Sequence, residues 1–290
     1  MFLQTAVTGL AIGGIYALMA VGYSLVFSIL DFSSFAHGTV IMLGAYAGYF
    51  LLTQVRLPFA LVISGSMAVA AVLGFLNERL AYRPLRVRNA RPLYFMISAM
   101  GVSILMENLV YATLGAHFYS YPDILGRGIV RIMGASIGVL DLFALGFSAS
   151  AIWGLHLYLH RTKGGVAIRA CSYDMTVASI CGISSDRVVG LVFLIAGGLA
   201  GLSGVFLGMK YMAYPTMRCI TNKAYVAAVI GGLGSLPGAV VGGIVLGLLE
   251  TFVSVYVSSI IRDVFSFSML VLVLLVLPNG LMGKSVEEKL

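Results

Sequence analysis

Long uncharged apolar runs alternate with short polar connections along the whole chain. Met1 to Leu30, Phe32 to Val55, Leu57 to Asn77 and Val264 to Gly283 carry no charged side chain. A helix rising 1.5 Å per residue needs about 20 apolar residues to cross about 30 Å of hydrocarbon, so each run is long enough to span a bilayer. Eight long apolar segments emerge, near 3–30, 33–53, 57–81, 93–114, 137–160, 187–210, 238–258 and 262–282, with a shorter, glycine-broken stretch at 222–235. The runs are continuous and do not alternate with period two, which excludes a transmembrane β-barrel. The expectation is an all-α polytopic membrane helix bundle of about 8–9 transmembrane segments, one of them broken or re-entrant. It forms a single domain over residues 1–290.

Composition agrees. The chain is 60% hydrophobic and 10% charged, against about 25% charged for a soluble domain, and its mean hydropathy is +1.02. Thirty-five glycines are costly in soluble helices but let membrane helices approach closely. The net charge of +7 is assigned to loops, not to nucleic acid. Arg79, Arg83, Arg86, Arg88 and Arg91 crowd one connection against Glu78, and Arg161, Lys163, Arg169 and Arg187 mark the next but one. Both are expected to be cytoplasmic. Three spans traced back from the first put the N-terminus outside and residues 115–136 outward. If 222–235 crosses or re-enters, Lys284 and Lys289 end in the cytoplasm, although Glu287 and Glu288 offset them. Met1 to Leu30 lacks a basic leader and a small-residue cleavage site, and reads as a retained first span.

Several chemistries find no support. Cys171, Cys181 and Cys219 form no CxxC pair and call for neither disulfide nor metal. No cofactor is implied, and no Ser-His-Asp, Cys-His or paired-carboxylate arrangement marks an enzyme. The pattern GxxxxGK[ST] is absent, so a partner would have to bind any ATP used.

The polar stretch at 161–186 carries most information. Val166 to Cys171 reads as a short helix. Asp174 suits an N-cap and Gly182 the residue past a C-cap, with about two turns over Met175 to Cys181. So short a helix is marginal in water and needs a docking surface. That surface is either a cytoplasmic motor subunit, with the region as a coupling element, or the chain's own bundle. Elsewhere, Gly38, Gly44 and Gly48 follow the first span, and Gly231, Gly232, Gly234, Gly238 and Gly242 follow the span at 187–210. This echo admits an inverted repeat whose broken helices meet near the midplane.

His37 follows Phe35, with Asp31, Ser33 and Ser34 able to cap a broken helix. The residue either lines a solute path with Phe35 and Gly38 or is a buried histidine satisfied by a carbonyl. Gly232 and Gly234 suit a cavity-lining turn, whereas Gly234, Gly238 and Gly242, spaced by four, suit close helix packing. Glu107 and Glu250 lie in apolar runs. An ionisable group there is a functional candidate by default, with interhelical hydrogen bonding as the other reading. Asp141 reads as solvated, and Tyr46, Tyr49, Tyr211 and Tyr214 as interfacial belts.

An ordered set of segments gives a specific resemblance: Leu10 to Phe27, Phe35 to Gly38, Met42 to Tyr46, Ile97 to Leu105, Ile168 to Asp174, Ala178 to Ile183, Ala224 to Gly243 and Leu277 to Gly283. The chain resembles the permease of the branched-chain amino acid ABC importer family of bacterial inner membranes. The resemblance implies a second homologous permease, two ATP-binding subunits on the cytoplasmic loops, and an extracytoplasmic binding protein that delivers the amino-acid substrate. Importer permeases carry a Glu-Ala-Ala-x-x-x-Gly loop that seats on the ATPase. Here Thr176, Ala178 and Gly182 align with it and its acid is missing, which leaves docking by shape. Together with Asp174, these are the expected coupling residues. The expected path residues are Phe35, His37, Gly38, Glu107, Gly232 and Gly234. Urea or short amides are alternative solutes. An ion-coupled secondary transporter would need its ligands from Glu107, Glu250, Asp31 and His37, and a structural scaffold would leave the coupling helix unexplained.

Overall fold

The computed structural model describes residues 2–123, 128–132 and 135–283. Each apolar segment of the sequence becomes a helix. In chain order these are α1 (Phe2–Leu30), α2 (His37–Thr53), α3 (Phe59–Asn77), α4 (Arg83–Val87), α5 (Pro92–Leu114), α6 (Val139–Arg161), α7 (Lys163–Tyr173), α8 (Met175–Ile180), α9 (Ser185–Tyr211), α10 (Arg218–Gly231), α11 (Leu236–Tyr256) and α12 (Arg262–Val276). A π-turn at Glu78–Tyr82 joins α3 to α4, making one helical unit over Phe59–Val87.

Six helical units are long and apolar enough to cross a membrane: Phe2–Leu30, Phe59–Val87, Pro92–Leu114, Val139–Arg161, Ser185–Tyr211 and Leu236–Tyr256. Three further segments are shorter, α2 at 17 residues, α10 at 14 and α12 at 15. At 1.5 Å per residue they reach about 25, 21 and 22 Å, short of a bilayer core. The all-helical expectation holds for the bundle; the connection before α6 adds a short antiparallel strand pair, Ile129–Ile132 with Ala135–Gly138. The β-branched Ile129, Val130, Ile132 and Ile137 favour strand.

The centre of the bundle is made by α1 and α9. Most of each is buried, whereas α5 and α6 bury little of their surface. α1 packs chiefly on α11 and α9 chiefly on α3. Small residues set these contacts. Gly247 lies directly against Gly13, and Gly243 against Ala17; across the other pair, Gly197 and Gly201 face Ala70, Ala71 and Ser66. Without large side chains at the crossings the backbones come close enough for dispersion contacts to hold the helices. Gly238 and Gly242 likewise seat α11 on α10, through Gly231 and Ala227.

Both central helices end alike. Asp31 follows α1 at φ 52° and Met212 follows α9 at φ 68°. In each case residues 31–36 or 212–217 then separate the long helix from a short one. The expected side-chain cap at the first break does not form. Ala36 is the N-cap of α2, without a side-chain bond. Ser34 instead bonds the Tyr82 hydroxyl at 3.1 Å, and Asp31 is spent on ending α1.

The two basic connections lie at one end of the bundle, because Arg83 and Arg86 reach Asp186 at the start of α9. The α10–α11 turn is at this arginine-rich end too: Gly234 faces Phe27 and Ser28 near the end of α1. Leu281 and Met282 donate to the carbonyls of Ile230 and Gly231 at 2.9 and 3.0 Å, so Gly283 ends there as well. Lys284, Glu287, Glu288 and Lys289 are outside the described residues.

Candidate functional site

At the arginine-rich end α7 and α8 leave the bundle. The Thr162 hydroxyl caps α7, accepting from the Gly165 N–H at 3.0 Å. The Asp174 carboxylate caps α8, accepting from the N–H groups of Thr176 and Val177 at 2.8 and 3.0 Å. At the far end Gly182 N–H bonds Ser179 O and Ile183 N–H bonds Ala178 O, at 3.0 and 3.1 Å. That pair of bonds closes a helix through a left-handed residue, and Gly182 supplies it at φ 84°. α8 has only six residues and would not persist alone in water. Its two closures and the buried Ala178 hold it. Meanwhile Tyr173, Val177 and Ile180 are 81%, 54% and 80% exposed. Val177 and Ile180, three positions apart on α8, thus present large apolar side chains outside the spans.

A charged clamp stands beside this element. Arg83 pairs with Asp186 at 3.0 Å, and Arg86 pairs with both Asp186 at 2.7 Å and Glu78 at 2.9 Å. The clamp fastens the α8–α9 junction to the end of the α3–α4 unit. Glu78, at the π-turn, is fully buried.

The residues expected on the path divide. Phe35 and His37 lie together at the α1–α2 break. Phe35 packs on Tyr225 of α10 at 5.8 Å between ring centroids, and His37 stands edge-on to Tyr23 at 5.9 Å. His37 is buried against Gly22, and its Nε2 has no hydrogen-bond partner. With Ser34, Asn77 and Phe193 it bounds a cavity of 10 Å³, about the size of one water. Gly38 is buried beside it in the first turn of α2. Gly232 and Gly234, at φ 107° and 82°, make the α10–α11 turn at the same end, with Gly232 against Gly280 and Gly283. Glu107 does not join them. It lies 12 residues beyond Phe95, which packs on Phe32, and is therefore about 18 Å farther along α5.

A polar cluster that sequence reading missed sits toward the opposite end. Lys223 of α10 is 2.8 Å from Glu250 of α11 and 2.8 Å from Asp263 of α12. The Glu250 carboxylate also accepts from Tyr16 of α1 at 2.9 Å and from Ser266 at 2.8 Å. Lys223 and Glu250 are both buried. Glu250 is thus interhelically bonded, as one of its two readings had it. Half of the signal was present: Glu250 lies in an apolar run and calls for a partner, whereas Lys223 follows the polar Thr221 and Asn222.

Two other expectations are corrected. Asp141 is not simply solvated but pairs with Lys210 at 2.6 Å, joining α6 to the end of α9. Tyr46 and Tyr49 are not a lipid-facing belt. Their rings meet Tyr119 edge-on and tilted, at 5.6 and 5.1 Å between centroids, under a loop fastened by backbone bonds between Tyr119 and Ala213 and by the Tyr121 hydroxyl donating to Ala45 O.

The family model for "Branched-chain amino acid transport system / permease component" matches residues 5–274. The chain belongs to this family. A permease component of such a system is not itself an enzyme. The chain is 37% identical to the high-affinity branched-chain amino acid transport system permease protein LivH of Escherichia coli, over 99% of this chain and 97% of that one. It is 35% identical to the corresponding protein BraD of Pseudomonas aeruginosa, over 99% and 98%. Among solved structures, PsaBC from Streptococcus pneumoniae in complex with Fab matches with a TM-score of 0.50 at 13% identity, covering 93% of this chain and 89% of that chain. This likeness concerns the fold. The branched-chain permease family thus takes in nearly the whole helix bundle, including α7, α8 and the buried Lys223–Glu250 pair.

Proposed function

We propose that the chain lines one half of the solute path of an ATP-driven importer of branched-chain or other hydrophobic amino acids. An ATP-hydrolysing partner grips α7 and α8. The observation that carries the reading is the doubly closed α8 with its exposed Val177 and Ile180. A six-residue helix fixed at both ends and joined by a short turn to α9, whose start is held to the α3–α4 unit through Asp186, can pass a partner's motion into the central helix. The family and the names of its relatives supply the substrate class. A second homologous permease, two ATP-binding subunits and an extracytoplasmic binding protein complete the machine.

In this reading residues 1–290 act as one membrane domain with a coupling region at 161–186, and the arginine-rich end is cytoplasmic. The N-terminus is then outside and the C-terminal segment inside, in a bacterial inner membrane. Nine apolar helices enter the bilayer. α1–α3 and α9–α11 form an inverted pair, supported by the matching breaks after α1 and α9 and by the exchanged packing of α1 on α11 and α9 on α3. The path runs by Phe35, His37, Gly38 and the Gly232–Gly234 turn. Glu107 stands apart from that group, on a peripheral helix.

The test is ATP-dependent leucine uptake by proteoliposomes holding the complete complex, with other solutes as competitors. Ala178→Glu is expected to leave membrane insertion and subunit level intact while abolishing uptake, because a buried methyl on the gripped helix becomes a charge. Normal uptake by this variant would remove α8 from the mechanism. Concentrative uptake by the isolated chain would overturn the whole reading.

A further inference from the structure

A groove of 710 Å³ runs along the bundle surface between α1, α6 and α11. Ala17, Val21, Ile152, Trp153, Val240 and Ile244 are among its walls, and His156 and His160 stand toward its arginine-rich end. No lining residue is charged. On α6 the lining positions run from Leu145 to His160, about 22 Å along the helix axis. The slot therefore lies lengthwise in the membrane and is longer than the about 15 Å of one hydrocarbon leaflet.

Its apolar length and the basic residues beside one end restrict the occupant. At the arginine-rich end the two imidazoles stack with centroids 4.1 Å apart, and the exposed Arg161 and Lys163 follow directly on His160. Apolar walls leading to a basic rim match acyl chains beneath an anionic headgroup.

We propose that this groove is a binding site for an anionic phospholipid, with its acyl chains between α6 and α11 and its phosphate against His160 and Arg161. The inference goes beyond the transport reading and does not depend on the solute.

Trp153 is the only tryptophan in the sequence and is 67% exposed in the groove, so its fluorescence reports on the occupant. The experiment places the complete complex, with its other subunits' tryptophans replaced, in nanodiscs. These contain phosphatidylglycerol or phosphatidylcholine brominated on the acyl chains, at one equal low mole fraction, with total headgroup composition held constant. Brominated phosphatidylglycerol is expected to quench Trp153 more strongly, its local enrichment near one basic side chain being about fivefold. Arg161→Gln with His160→Gln should remove the preference while leaving general quenching. Equal quenching by both lipids would overturn the proposal, as would a preference that survives the double substitution. Protection of Trp153 from both lipids would overturn it too, because a protein subunit would then cover the groove.

Discussion

The bundle holds two charged clusters of similar composition and opposite setting. At the arginine-rich end Glu78, Arg86, Asp186 and Arg83 form a chain that starts in the interior and finishes in the open, with the Asp186 side chain 45% exposed. Toward the other end Lys223 and Glu250 meet with side-chain exposures of 6% and 2%, with Asp263 and Arg262 at the rim. Water shares the first cluster. In the second, Lys223 and Glu250 are themselves shielded from water, and only the Asp263 side chain of the cluster is more than half exposed. The same ion-pair chemistry therefore has different weight in the two places, and the difference indicates which cluster each helix depends on. α10, the shortest of the apolar helices, packs on α11 through glycines at one end and is joined toward the other end by Lys223 to both α11 and α12. The α3–α4 unit, bound to α9 along its length by small residues, uses its arginines to set the position of its end.

The strongest way to break this comparison is to remove one partner of the buried pair. Lys223→Met leaves the Glu250 carboxyl without its closest cation, among Tyr16, Ser266 and apolar neighbours, with Arg262 3.8 Å away. The expected loss is about 3–5 kcal/mol, read as a lower midpoint of thermal unfolding in detergent and a smaller yield of assembled complex. Lys223→Met combined with Glu250→Gln should recover most of that loss, because the desolvated charge is gone while the Tyr16 and Ser266 hydroxyls keep a bonding partner. Failure of the double variant to recover would mean that the pair is required for its charge and not for its neutrality.

The legibility of these features follows their dependence on local pattern. Span positions, the Asp174 cap and the Gly182 closure were readable, because each rests on residues within a few positions of one another. The packing role of Gly238 and Gly242 was readable from their spacing. What was not readable depends on distant partners. Asp141 looks like a solvated helix-entry residue until Lys210 is brought to it, and Lys223 looks like a loop charge until the chain returns at Glu250. Tyr46 and Tyr49 look interfacial until Tyr119 closes over them. Ser33 and Ser34 fit a cap by type, yet the backbone enters α2 through Ala36 and Ser34 turns to Tyr82. In each of these cases except Ser33 the residue type was informative, but its partner lies in another helix or loop, from 27 positions away for Lys223 and Glu250 to 73 for Tyr46 and Tyr119.

A middle effect is expected at Arg86, which joins the buried and the open parts of the first cluster. Arg86→Gln leaves Glu78 without its cation, but the carboxylate lies at the membrane surface, where water can reach the space vacated by the guanidinium. The cost should be about 1.5–3 kcal/mol, the range for a hydrogen bond to a charged group, and smaller than for Lys223→Met under the same thermal assay. A loss as large as that of Lys223→Met would show that the two clusters are equally dry.

The smallest effect belongs to Arg83. Its bond to Asp186 is 3.0 Å long with both side chains more than 40% exposed, and Asp186 keeps Arg86 when Arg83 is lost. Arg83→Gln should therefore cost no more than about 1 kcal/mol. The difference from the parent should shrink further in high salt, where screening acts over about 3 Å at 1 M. The buried pair offers the contrast within the same experiment: salt reaches Lys223 and Glu250 poorly, so the deficit of Lys223→Met should hardly change over the same range. If salt relieved both variants equally, the second cluster would have to be hydrated, and the distinction drawn between the two ends of the bundle would fail.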